Sequence, residues 1–253
     1  VIELVLFDLD GTLVDHRRAV LETITQIIGD APSARKQREL VETWWRLERS
    51  HMQRYLAGEC SFAEQRRRRL REFLPLLGEE VPEDQGLDAW YAYRYGPLYE
   101  AAWSCYADVV PCLDALAGLE KPSRLAVLTN GDPDQQRAKL ARFGLLERFE
   151  AVLTPSQLGT AKPDPATFTA SCAYLGVDPR SVISVGDWLE GDVIAATEAG
   201  LCAAWIDRGV KPFTGDRPDS ARTVAADLAL HRLENLGELT MVIDCRCRRP
   251  RTP

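Results

Sequence analysis

Between residues 125 and 206 the sequence repeats one pattern: a short apolar run, a polar turn, then a helical stretch that stops at glycine. Leu125-Ala126-Val127-Leu128 reads as a strand, and Pro133 to Phe143 as a helix ending at Gly144. Ala151-Val152-Leu153 is followed by a helix from Pro165 to Leu175 ending at Gly176. Val182-Ile183-Ser184-Val185 is followed by a helix from Asp192 to Ala199 ending at Gly200, and Cys202-Ala203-Ala204-Trp205-Ile206 is the next apolar run. Runs this short, bounded by turn chemistry and separated by helices of this length, predict parallel strands with helices on both faces. In such α/β sheets, ligands bind beyond the carboxyl ends of the strands. The search for function therefore narrows to the residues that follow each run.

A further buried strand is predicted at residues 3–7. The segment from 16 to about 100 differs in kind, being rich in Arg, Glu, Leu, Trp and Ala. Apolar pairs such as Ile27-Ile28 and Leu40-Val41 recur at helical intervals, and Ser61-Phe62-Ala63-Glu64 has the form of a helix-starting capping box. Pro32, Gly58, Gly78, Pro82 and Gly86 punctuate it into about four helices. The expected organisation is residues 1–15 and 101–244 as an α/β core, 16–100 as an inserted helical domain, and 245–253, CRCRRPRTP, as a basic, disordered tail. A chain of 253 residues accommodates one core with one insert.

The strand ends share a chemistry. The first ends in Asp8-Leu9-Asp10-Gly11-Thr12, the second in Thr129-Asn130-Gly131, and the third in Gly186-Asp187 with Glu190 and Asp192 close behind. Lys162 lies in the turn before the helix that starts at Pro165. Asp8, Asp187 and Asp192 form a half suited to a hard cation, while Thr129, Lys162 and backbone N–H groups form a half suited to an anion. Carboxylate oxygens suit Mg²⁺, and phosphoryl oxygens need fixed donors and positive charge. Two acids as close as Asp8 and Asp10 raise one another's pKa unless a cation intervenes. With a cation at Asp8, one acid can stay ionised as a nucleophile while Asp10 cycles a proton.

Phe7-Asp8-Leu9-Asp10-Gly11-Thr12-Leu13 resembles the D-x-D-G-T motif of the haloacid dehalogenase superfamily. Thr129-Asn130-Gly131 resembles its second motif, Lys162 within AKPDP its third, and Gly186-Asp187 through Asp192 its fourth, G-D-x-x-x-x-D. The four occur in order over residues 1–15 and about 105–210. The resemblance implies a Rossmann-like parallel sheet with an inserted all-helical cap, and a Mg²⁺-dependent phosphatase working through an aspartyl-phosphate. Asp8 would be the nucleophile and Asp10 the general acid and base. Thr129, Asn130 and Lys162 would bind phosphate. Asp8, Asp187 and the backbone carbonyl of Asp10 would hold Mg²⁺, with Asp192 behind them orienting a metal-bound water or Lys162. Dehalogenases of the superfamily keep the nucleophile but lack an acid two residues later, so Asp10 argues against that activity. A sugar-phosphate mutase of the same superfamily is compatible with the core motifs, and so is a non-catalytic phosphate-binding protein.

Several features carry no such signal. The net charge of −7 argues against a globally basic nucleic-acid-binding surface. No apolar run reaches the roughly 18 residues that span a bilayer. Acidic residues within the first ten positions are unlike a secretion signal, so a cytoplasmic location with reduced thiols is expected for the seven cysteines. Cys245-x-Cys247 lacks zinc spacing. The run Arg66 to Arg69 with Arg71 reads as a solvated helix face, and Trp44, Trp45, Trp90, Tyr91, Tyr93, Tyr95 and Tyr99 as core of the helical segment. The expected partner is a small phosphorylated metabolite, with no nucleic acid and no membrane, and the chain is expected to be a monomer or weak homodimer.

Overall fold

The computed structural model describes residues 1–29, 33–209 and 231–247. Six strands form one sheet: β1 Leu4–Phe7, β2 Arg124–Leu128, β3 Ala151–Leu153, β4 Val182–Gly186, β5 Cys202–Ile206 and β6 His231–Leu233. Their order is β3-β2-β1-β4-β5-β6, and every pair is parallel. The α/β class expected from the alternation is the fold observed. β1 sits centrally, with Phe7 level with Val127 of β2 and Val185 of β4. The order reverses between β1 and β4, which is where sheets of this kind open a crevice at their carboxyl edge.

Period-two alternation divides the strand residues between two apolar layers. Val5, Phe7, Val127, Ile183, Val185 and Ile206 pack on one face, against α6 (Val109–Ala117), α7 (Pro133–Arg142) and α11 (Leu239–Cys247). Leu4, Leu6, Ala126, Leu128, Val182 and Trp205 pack on the other, against α9 (Pro165–Leu175) and α10 (Ala195–Glu198). The four residues of β1 are fully buried. At roughly 1.5–3 kcal/mol per large apolar side chain, this burial offsets the cost of ending the strand in acids. Helices α7 and α9 start alike: Asp132 and Asp164 cap them through their side chains, and Pro133 and Pro165 occupy the first turn. A four-residue helix, α8 (Pro155–Leu158), follows β3.

The described chain divides at Asp15/His16 and at Ser104/Cys105. The second boundary falls four residues later than the sequence suggested. The unit His16–Ser104 is helical: α1 His16–Ile28, α2 Ala34–Leu56, α3 Phe62–Phe73, α4 Asp84–Trp90, a π-helical turn Tyr91–Tyr95 and α5 Gly96–Ala101. Ser61 accepts from the Glu64 N–H at the start of α3, which is one half of the expected capping box, while Glu64 Oε1 accepts from Arg68 and Arg71 at 3.0 Å each. Its core is aromatic. Trp44 is fully buried, edge-on to Phe73 at 4.9 Å and stacked on Tyr95 at 5.1 Å. Tyr93, in contrast, is exposed.

Two sequence expectations change. Arg69 is not on a solvated face: it is buried, ion-paired with Glu48, and its guanidinium lies 4.7 Å from the Trp44 ring centre. Four consecutive residues point all round a helix, so one of the four arginines had to face inward. Helix α11 also runs three residues into the segment read as a tail, through Cys245 to Cys247. The rest of that segment, 248–253, lies outside the described residues.

Candidate active site

β1, β2 and β4 deliver their carboxyl ends to one edge. Asp8 follows β1 directly, and its N–H donates to the Val185 carbonyl at 2.9 Å. Its carboxylate is almost buried. Oδ1 accepts from Lys162 Nζ at 2.7 Å, and Oδ2 accepts from Thr12 Oγ1 at 2.9 Å. Thr12 Oγ1 in turn accepts from the Asp187 N–H at 3.1 Å. The threonine thus ties the β1 loop to the β4 loop, a role its place in the motif did not reveal. Gly11 has φ +96°, and a Cβ there would lie 2.3 Å from Asp187 Oδ2. Only glycine allows the turn to pass that close to the carboxylate.

Lys162 spends all three ammonium protons inside the protein, on Asp8, on Asp192 Oδ1 at 2.6 Å and on the Leu128 carbonyl at 3.0 Å. Burial alone would favour neutral lysine, but Asp192 and Asp8 outweigh it and hold the ammonium well above its usual pKa. The Asn130 side chain clamps the Lys162 backbone at both ends: Nδ2 donates to the Lys162 carbonyl at 2.7 Å, and Oδ1 accepts from its N–H at 3.0 Å. Asn130, expected at the phosphate, thus has both ends of its side-chain amide on the Lys162 backbone and positions the lysine.

Asp192 lies in a π-helical turn, Leu189–Ile194, immediately beyond β4. Such turns recur at functional sites. Its Oδ2 accepts from the Trp188 N–H at 3.0 Å, and a Cβ on Gly186 would collide with its carboxylate at 2.3 Å. Trp205 of β5 donates Nε1–H to the Asp187 carbonyl at 3.0 Å, fixing that loop from the next strand.

Carboxylate oxygens of Asp8, Asp187 and Asp192 all lie within 4.8 Å of one another. Burial pushes the Asp8 carboxyl up to about 7; Lys162 opposes this, and Asp192 and Asp10 add to it. Asp187 is pushed in the same direction, by desolvation first and then by Asp8 and Asp192, though its exposure to solvent weakens the first of these. Among the described residues of the site, the four carboxylates of Asp8, Asp10, Asp187 and Asp192 face two ammonium groups, those of Lys139 and Lys162. An all-oxygen donor set of this kind fits a hard cation.

The structure thus brings Asp8, Asp10, Thr129, Asn130, Lys162, Asp187 and Asp192 to one edge. The Asp10 carboxylate does not face the acidic trio. Its Oδ1 accepts from Lys139 Nζ at 2.6 Å and its Oδ2 from Gln136 Nε2 at 2.7 Å. Gln136 and Lys139 carry no motif signal. In sequence they are polar residues of a charged helix, although Gln136 lies one turn before the apolar Leu140.

Haloacid dehalogenase-like hydrolases match this chain over residues 2–200, and the chain belongs to that family. Among curated relatives, the phosphoserine phosphatase of Thermus thermophilus is 46% identical over 88 residues, 35% of each chain. The phosphoglycolate phosphatase of Haemophilus influenzae is 28% identical over 220 residues, 86% of this chain and 92% of that one. The chain spans about a third to three fifths of the length of several curated relatives it matches. The L-2-haloacid dehalogenase structure from Xanthobacter autotrophicus superposes with a TM-score of 0.69 at 25% identity, covering 96% of this chain and 99% of that one.

Proposed function

We propose that this hydrolase is a Mg²⁺-dependent phosphatase of a small phosphomonoester. The observation that carries the reading is the second acid. Asp10 follows the lysine-paired Asp8 by two residues, and its carboxylate is held apart from the acidic trio. One acid can therefore attack phosphorus while the other handles protons. Asp8, Asp187 and the Asp10 backbone carbonyl would hold the cation, which supplies charge neutralisation of the phosphoryl group when bound.

The chain's own residues then act in two stages. A carboxylate oxygen of Asp8 bonds to phosphorus as the ester P–O bond breaks, and the electron pair leaves on the alcohol oxygen, which takes a proton from Asp10. Water next gives a proton to Asp10 and attacks phosphorus; the Asp8–phosphorus bond breaks and inorganic phosphate departs. Thr129 donates its hydroxyl to a phosphoryl oxygen. Lys162, fixed by Asn130, favours the ionised form of Asp8 and exchanges one of its three contacts for a phosphoryl oxygen. The inserted helical unit His16–Ser104 holds the sequence position of the family's cap.

The likeness to a haloacid dehalogenase gives a second reading, in which Asp8 displaces halide from carbon. That chemistry has no leaving group in need of a proton and gives Asp10 nothing to do. The test is a panel of phosphorylated metabolites and 2-haloacids, assayed with and without Mg²⁺. Phosphate release that needs Mg²⁺ supports the phosphatase. Halide release with no phosphate from any ester overturns it.

A further inference from the structure

The best-defined contacts near the site that no motif explains belong to two side chains of α7, Gln136 and Lys139. They are three residues apart, so both lie on one helix face, and each is 1% exposed. Burying a lysine is costly unless it is paired, and this one is paired with Asp10 Oδ1 at 2.6 Å. Gln136 Nε2 lies 2.7 Å from Asp10 Oδ2 and 2.6 Å from Thr129 Oγ1. An ionised carboxylate only accepts, so the amide must present its NH₂ here, with one proton for each partner. Space for it depends on Gly131, where a Cβ would lie 2.5 Å from that nitrogen.

Two consequences follow for the groups on which the reaction depends. Each oxygen of Asp10 has a donor on a different part of α7, which fixes both the position and the plane of the carboxylate. Thr129 Oγ1 accepts from Gln136 and also from the Gly131 N–H at 3.2 Å. A hydroxyl has two lone pairs and one proton, so with both lone pairs engaged the proton can only be given away.

We propose that Gln136 and Lys139 are positioning residues: together they set the Asp10 carboxylate for proton transfer, and Gln136 also commits the Thr129 hydroxyl to donate to the substrate. This rests on the phosphatase reading above. Their contacts at the site are with Asp10 and Thr129, so each acts through those two groups.

The test compares kcat and KM for an alkyl phosphate and for p-nitrophenyl phosphate, whose leaving group needs little protonation. In Lys139→Met, kcat on the alkyl ester should fall about 10- to 100-fold further than on the aryl ester. Lys139→Arg, which keeps the charge, should restore part of that ratio. In an Asp10→Asn background, Lys139→Met should add no leaving-group-dependent loss. Gln136→Leu should lower the same ratio and also raise KM for both esters, because Thr129 loses its orientation. Gln136→Glu keeps the shape and removes the donor, so it serves if the larger changes unfold the protein. Equal loss on both esters in the folded variants, or a further ratio change in the Asp10→Asn background, overturns the positioning role while leaving the phosphatase intact. A wild type that releases no phosphate from any ester overturns the phosphatase reading itself.

Discussion

Replacing Lys162 by methionine keeps the length of the side chain and removes its three donors. Lys162 is 3% exposed, and its carboxylate partners Asp8 and Asp192 are 8% and 2% exposed, so solvent screens the loss poorly. Removing one partner of a buried ion pair costs about 3–5 kcal/mol. Here one ammonium serves two acids that also repel each other, which places the cost near the upper end. For a chain of this size, about 5 kcal/mol lowers Tm by roughly 10–20 °C. The loss should depend on pH. The Asp8 carboxyl is already pushed up to about 7, and without Lys162 it rises further. A folded state that holds a proton the unfolded state releases loses stability as pH rises. The deficit against wild type, measured by thermal and urea unfolding in chelator, should therefore be smaller at pH 6 than at pH 8. Adding Asp192→Asn should recover part of it. A deficit below about 1 kcal/mol, or one equal at both pH values, would refute the reasoning that Lys162 neutralises a buried pair of acids.

Three further outcomes are expected. Chelation should abolish phosphate release and Mg²⁺ should restore it, with Ca²⁺ restoring it poorly because its coordination is larger and looser; full activity after exhaustive chelation would contradict Asp8 and Asp187 as cation ligands. Gly11→Ala should displace the Asp187 carboxylate, lowering the rate about 10²-fold and weakening Mg²⁺ binding by calorimetry, since a shift of about 1 Å can cost that much; an unchanged Mg²⁺ affinity would show that the loop yields freely. Burial holds His51 of α2 below its usual pKa of 6.5, against the pull of Glu72. The unfolded state therefore binds the proton more readily, and stability is lost as pH falls below about 6.5. His51→Gln should remove that part of the slope in urea titrations between pH 5 and 7, and an unchanged slope would contradict it.

The sheet was legible because its strands are short, apolar and separated by helices that end at glycine. Asp8, Thr129, Lys162 and Asp187 were legible because each follows such a run or opens the next helix. β6 was not. His231-Arg232-Leu233 is three residues long and two of them are polar, and only pairing with β5 makes it a strand. Helix α11 was hidden by the Cys245-Arg246-Cys247 that closes it, although Leu239 and Ile243 sit one turn apart and are both buried. Arg69 was hidden in a run of four like charges, since composition does not say which member faces Trp44. Gln136 and Lys139 were invisible for the converse reason. A buried polar pair on a charged helix looks like its solvated face until the carboxylate it serves is in place. Asn130 was legible as a site residue, but its target, the Lys162 backbone, is 32 residues away and no spacing rule connects them.

The central claim is that Asp8 carries the phosphoryl group. The direct measurement uses the Asp10→Asn variant, in which hydrolysis of the intermediate is expected to be slowed. That protein is mixed with p-nitrophenyl phosphate and Mg²⁺, quenched in acid, digested and read by mass spectrometry. The account predicts that the peptide bearing Asp8 gains the mass of one phosphoryl group, that fragmentation places it on Asp8, and that the same peptide from Asp8→Asn protein gains none. An unmodified Asp8 in protein that has released p-nitrophenol, or a phosphoryl group on any other residue, would contradict it.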